Sequence, residues 1–295
     1  MLKDKITKRL LASGLLSALL CAGAAFIPAA AQQSGKIPDF SGNGTGWDSK
    51  GGMTPMPGSP SPVAQDPRVK YVPNNVGEQP TWRYGDVNNP NLTEAAKAGL
   101  RKANAMHDKG FAMYNRTSRC WMPGVPGLDL SPGRTYFIQT ANVVYIMWQR
   151  DQIVRRIPLT RQHSPNAKTS WHGDSIGWYE GDTLVVDTIK QDTRTFADLF
   201  RTPVSDKFHL VERFRLVDGG KEIEVEFTVD DPVMFVKPWK ATKRWSVTPA
   251  KAYGADSTVT FNDEIRCMDG ESVNPFNAQQ AELVEPLPVA TKADF

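Results

Sequence analysis

From about residue 134 onward the apolar positions alternate with polar ones at a period of two, the pattern of strands with one face buried and one wet. Tyr136 to Gln139, Val143 to Gln149, Ile153 to Leu159, His209 to Val217, Glu222 to Val229, Trp239 to Val247 and Ser257 to Cys267 all read this way. Another such run, Trp171 to Ile189, reads as a hairpin around Glu180 and Gly181. The breaks between strands are short, as at Arg150-Asp151-Gln152 and Asp218-Gly219-Gly220-Lys221. Sequential hairpins in this number predict a mainly β fold, an antiparallel up-and-down calycin-like barrel or strongly curved sheet, with a sandwich as the alternative. Closure would remove exposed strand edges.

Ahead of the strands the pattern differs. Residues 32–91 are rich in Gly, Pro, Asn and Ser and read as a long irregular arm with spaced anchors at Phe40, Trp47, Tyr71, Trp82 and Tyr84. Leu92 to Asp108 reads as one helix, with Thr93 as N-cap, Glu94 in its first turn and Gly110 as its stop. A single barrel domain with this leading helix is expected over residues 92–275, followed by a tail over 276–295. No internal repeat or coiled coil is apparent.

The first 31 residues resemble a signal peptide: Lys3, Lys5, Lys8 and Arg9, an apolar run from Leu10 to Ile27, and small residues up to Ala31. Export to the periplasm or outside is the expectation, without stable membrane insertion. Of the 35 basic and 32 acidic residues, four and one lie in this segment, leaving 31 of each. That neutral balance gives no reason to expect nucleic acid as a partner. Cys120 and Cys267 remain after Cys21 is removed, and two such cysteines in an exported chain most simply form a disulfide.

Hairpin geometry supplies the candidate chemistry. With Glu180-Gly181 at the tip, Asp174 pairs with Asp187, Ile176 with Val185 and Trp178 with Thr183, so two carboxylates face each other beside His172. Acids that close cannot both ionise at low cost. One reading is a general acid and base in a barrel mouth, with Asp174 and Asp187 exchanging the proton and His172 relaying it. A second is a divalent ion held by Asp174, Asp187 and His172. A third leaves the acids in solvent and structural roles. Around Gly219-Gly220 the same register argument gives a core face of Leu210, Glu212, Phe214, Leu216, Ile223, Val225, Phe227 and Val229. Glu212 is its exception, a third acid expected to point inward, either polarising a substrate or satisfied by an Arg.

Trp178, Ile176, Tyr145 and Trp148 would suit an apolar or ring-bearing ligand, and His163 lies in a loop that would line the rim. His209 is expected in a surface pair with Asp230. No glycine-rich segment has a phosphate-cradling or dinucleotide fingerprint, and no cofactor is expected. The chain is thus expected to be a cofactor-independent lyase, isomerase or hydrolase for a small cyclic or aromatic molecule. A non-catalytic binding barrel for an apolar ligand and a metal-dependent hydrolase are the alternatives. The oligomeric state is open.

The run from His172 to Thr188, with Arg119-Cys120, Arg156 to Leu159, His209 to Arg213, Asp231-Pro232, Pro238-Trp239 and Cys267, resembles a widespread family of exported bacterial proteins. Its signature is Gly-Asp-Ser-x-Gly-x-aromatic-Glu-Gly-Asp-Thr-Leu-Val-Val. The resemblance implies an exported β-rich domain and carries over no catalytic residues. Tyr179 stands where the family has Trp, and Met268-Asp269-Gly270-Glu271 stands where it has His-Glu-Gly-Asn.

Overall fold

A computed structural model describes residues 37–70, 83–108, 122–130, 134–149 and 153–247. Nine strands form one antiparallel sheet that curls into a nearly closed barrel: β1 (Trp47–Pro55), β2 (Arg134–Gln139), β3 (Val143–Trp148), β4 (Ile153–Pro158), β5 (Asp174–Glu180), β6 (Thr183–Ile189), β7 (His209–Val217), β8 (Glu222–Asp230) and β9 (Trp239–Val247). Their order is β4-β3-β2-β1-β9-β8-β7-β6-β5, so every neighbour is also a chain neighbour except where β1 meets β9. The expected up-and-down barrel is the fold. All described residues fall in one compact unit.

The ladder lapses between β4 and β5, and that seam is where the barrel closes. Leu159 and Gly177 form a parallel bridge there, and the Thr160 N–H donates to the Gly177 carbonyl at 2.8 Å. Gly177 permits the approach: a Cβ at this position would lie 2.9 Å from Ile157 Cγ2 and 3.2 Å from the Val185 carbonyl oxygen.

The arm is less irregular than its composition suggests. Residues 47–55 become β1, inserted between β2 and β9, with Trp47 paired to both Thr135 and Val247. Period two is hidden there by Gly51-Gly52, where the register with β9 shifts. Gln139 fastens the preceding residues: its Oε1 accepts from the Phe40 N–H at 2.7 Å, and its Nε2 donates to the Pro38 carbonyl and the Tyr179 hydroxyl. The helix α1 (Glu94–Asp108) follows the expected boundaries, with Thr93 Oγ1 accepting from the Ala96 N–H and with Ala96, Leu100 and Ala103 buried. Among the described residues no helix is long and apolar enough to cross a membrane.

Strand alternation divides the sheet into two faces. Inward go Trp47, Phe137, Ile146, Trp148, Ile157, Leu184, Val186, Leu210, Phe214, Val225, Phe227, Trp239 and Trp245, all buried. Their rings touch, Phe137 with Phe40 and with Phe214 at centroid distances of 5.6 Å and Phe214 with Trp245 at 6.3 Å. The interior is a packed core in the manner of a small barrel. The disulfide expected between Cys120 and Cys267, the signal segment, the strand from Ser257 to Cys267, Tyr71, Trp82, Gly110 and the tail lie outside the described residues.

Candidate functional site

The β7–β8 hairpin has the expected register throughout, from His209 opposite Asp230 to Val217 opposite Glu222. The β5–β6 hairpin does not. Glu180 pairs with Thr183, which puts Gly181 and Asp182 at the tip. Gly181 has φ +62°, the sign a type II′ turn needs at its first central residue, and so takes the first position of the turn rather than the second. That one-residue move pairs Asp174 with Ile189 and Ile176 with Asp187. The two acids are diagonal neighbours, and the expected direct pairing of Asp174 with Asp187 is corrected.

Their face is corrected too. Val186 pairs with Glu212 on the inner side and Asp187 with Val211 on the outer, so Asp174, Ile176, Trp178, Val185 and Asp187 all lie on the outside of the barrel. No mouth is lined by them. Trp178 donates its indole N–H to Glu180 at 2.7 Å, under the Arg161 guanidinium 5.0 Å from its ring centroid. Tyr145 shares the outer face with the exposed Ile138, whereas Trp148 is in the packed core. The five residues expected to line one ligand surface therefore divide between opposite sides of the sheet.

What joins the acids is a histidine from the loop. The His163 ring lies between them, Nδ1 2.7 Å from Asp174 Oδ2 and Nε2 2.9 Å from Asp187 Oδ1. Both ring nitrogens donate together when the imidazole is doubly protonated. Asp187 also receives His209, whose Nε2 is 3.1 Å from each of its oxygens. The result is a continuous His209–Asp187–His163–Asp174 chain, with His163 and both acids mostly covered and His209 43% exposed. Burial alone would raise the Asp187 carboxyl, but hydrogen bonds and charge from His209 and His163 bring it below its ordinary value. The bond to Asp187 raises the His209 imidazole against the opposing effect of burial, with Asp230 adding a further attraction.

His172, expected as the relay, is replaced in that position by His163; its carbonyl takes a 3.5 Å contact from Ser175 Oγ. His209 was expected beside Asp230, and its backbone does pair there, but its ring turns to Asp187. The signal for it was its place on the outer face of β7, one diagonal step from Asp187.

Inside the barrel, Glu212 points inward as expected and is fully buried. Both of its oxygens are taken: Arg155 Nη1 donates to Oε1 at 3.0 Å and Nη2 to Oε2 at 2.5 Å. Arg155 also donates to Ser175 Oγ and Thr188 Oγ1. Glu212 therefore takes the structural alternative, satisfied by an Arg, in place of a free wall of a substrate cavity. Arg155 was legible as an Arg in the inward row Ile153-x-Arg155-x-Ile157. Among the described residues, no three His, Cys, Asp or Glu side chains are grouped to hold a metal ion.

No protein-family model, curated protein or solved structure matches the chain.

Proposed function

We propose that the chain is an exported enzyme of the lyase, isomerase or hydrolase type that moves protons on a small cyclic or aromatic molecule without a cofactor. The observation that carries this reading is the His209–Asp187–His163–Asp174 chain, four proton-exchanging groups in hydrogen-bond contact and reaching solvent at His209. Imidazole is suited to this task because its ordinary pKa lies near neutral, and a carboxylate on one nitrogen fixes the ring and strengthens it as a base. In this scheme His209 takes and returns the substrate proton at the surface, Asp187 orients it, and His163 with Asp174 passes charge behind it. Trp178, on the same outer face of β5 as Asp174, offers a neighbouring aromatic surface for a ring.

Secretion of the purified mature chain, with a Cys120–Cys267 disulfide, belongs to the same proposal and rests on the signal-like first 31 residues and the two remaining cysteines. The interior rings that a ligand-binding barrel would use are packed against one another, which favours the surface chemistry over a hollow binder. The test is a panel of ring-bearing esters, lactones, hydroxy acids and enol tautomers, read by mass spectrometry and NMR. Turnover that falls at least a hundredfold in both His209→Gln and Asp187→Asn, with the far-UV spectrum unchanged, supports the assignment. Turnover equal to the unmodified protein in both variants rejects it.

A further inference from the structure

The segment before β2 brings a carboxyl into the barrel that nothing above uses. A 3-10 turn over Gly127–Leu130 puts Asp129 in the interior at 1% exposure. Among the described residues neither of its oxygens has a donor. The group against it is the Glu212 carboxyl from β7, and Arg155 from β4 and Lys243 from β9 complete its charged surroundings. None of these donates to it. Arg155 is committed to Glu212, Ser175 and Thr188, and the Lys243 ammonium donates to Ser49 Oγ at 2.8 Å and the Gly51 carbonyl at 2.7 Å.

One arrangement satisfies both acids: Asp129 keeps its proton and donates it to the carboxylate of Glu212. Burial holds the Asp129 carboxyl well above the ordinary carboxylate range and the adjacent Glu212 pushes it further, while the charges of Arg155 and Lys243 oppose the rise. An ionised Asp129 would leave two negative groups in contact away from water, a costly state that moving the segment relieves.

The segment is buried from Gly124 to Asp129 yet stands apart from the strand ladders. Its backbone bonds are local, Leu128 N–H to the Gly124 carbonyl at 2.8 Å and Asp129 N–H to the Pro126 carbonyl at 3.0 Å, and it belongs to no ladder. Val125 and Leu128, both fully buried, help to seat it, with Met122 packed against the core and a bond from the Val125 N–H to Gln191 Oε1 at 2.9 Å. It can leave without breaking a strand pair.

We propose that residues 122–130 form a proton-dependent plug: seated while Asp129 donates to Glu212, and released when that proton is lost, exposing the interior charges of Arg155, Glu212 and Lys243. The sign follows from linkage. A carboxyl held higher in the seated state than in water favours seating below its ordinary pKa, and that advantage is lost as pH rises through the seated value. Lys243 works in the opposite sense. Burial pushes it down to about 8, so above that pH the unseated state holds the extra proton and seating is favoured again.

Hydrogen exchange of the full chain, read by mass spectrometry and corrected for the intrinsic rate at each pH, tests this between about pH 5 and 8. Protection of residues 122–130 falls with rising pH, by at most tenfold per unit for one proton, while β3 and β8 keep theirs. Asp129→Asn donates to Glu212 without an exchangeable charge and makes that protection independent of pH. Lys243→Met leaves the fall in place. A flat profile in the unmodified protein, or the same fall in Asp129→Asn, overturns the plug. Should Asp129→Asn not fold, the infrared carbonyl band of a protonated carboxyl in the unmodified protein at neutral pH decides: its presence supports the shared proton and its absence refutes it.

Discussion

Arg155 and Glu212 meet inside the barrel from strands on opposite sides of its seam, joined by two charge-assisted hydrogen bonds of 3.0 and 2.5 Å. Between them lie β5 and β6, whose Ser175 and Thr188 accept from the same guanidinium. The arginine thus bridges four strands at the place where backbone pairing thins to a single bridge. A polar clamp takes over there from the ladder. Its two charges are out of water, so each needs the other.

That dependence sets the first prediction. Arg155→Met or Glu212→Gln leaves one buried charge without its partner and is expected to cost about 3–5 kcal/mol in urea unfolding. The double replacement Arg155→Met with Glu212→Leu removes both charges and recovers most of the loss. Single-variant costs below about 1 kcal/mol would show that the clamp contributes little to closure.

The second prediction concerns the outer chain of groups. His209 titrates above its ordinary value of about 6.5 in an NMR titration, and Asp187→Asn lowers it. Because the imidazole is raised, its stabilising effect is complete below about pH 6.5 and is lost as pH rises through the folded value. Because Asp187 is lowered, its effect is complete above about pH 4 and is lost as pH falls through the folded value. These are two sides of one interaction and do not add. The Tm difference between the unmodified protein and His209→Gln is therefore largest between about pH 4 and 6.5 and shrinks on either side. A difference constant from pH 4 to 9 would contradict the pairing.

The third prediction tests the seam by size. Gly177→Ala puts a methyl only 2.9 Å from Ile157 Cγ2 and 3.2 Å from the Val185 carbonyl oxygen, closer than normal contact, and is expected to destabilise by about 1–3 kcal/mol. Gly52→Ala, where nothing lies within 4 Å of the added methyl and the backbone is not left-handed, costs less. Equal costs in thermal melts would mean that β4 and β5 are not in tight contact.

Alternation made the strands and the β7–β8 register legible because burial of one face enforces a period of two over many residues. It could not place the β5–β6 turn, since Gly181 suits either central position and only the full pairing selects one. Moving the tip by one residue kept Asp174 and Asp187 on a common face yet turned a facing pair into a diagonal one, with a histidine between. Which face pointed inward was a matter of which row carried Leu184, Val186 and Phe214, and the acids belonged to the other. Glu212 was readable as an odd charge in an apolar row, and Arg155 could have been matched to it by the same test. Asp129 had no such signal, because it sits in a turn rich in Gly and Pro where side-chain direction follows from tertiary contacts. β1 was obscured by glycines at its bulge and by polar residues on its outer face.

The pairing of β1 with β9 has a consequence for how the molecule is made. Trp47 and Val247 lie 200 positions apart in the chain and yet occupy adjacent strands, so a nascent polypeptide holds β1 without one of its two neighbours until residues 239–247 have been made. Contacts of such long range slow folding. The barrel's outline is therefore acquired late in folding, once β1 and β9 have met.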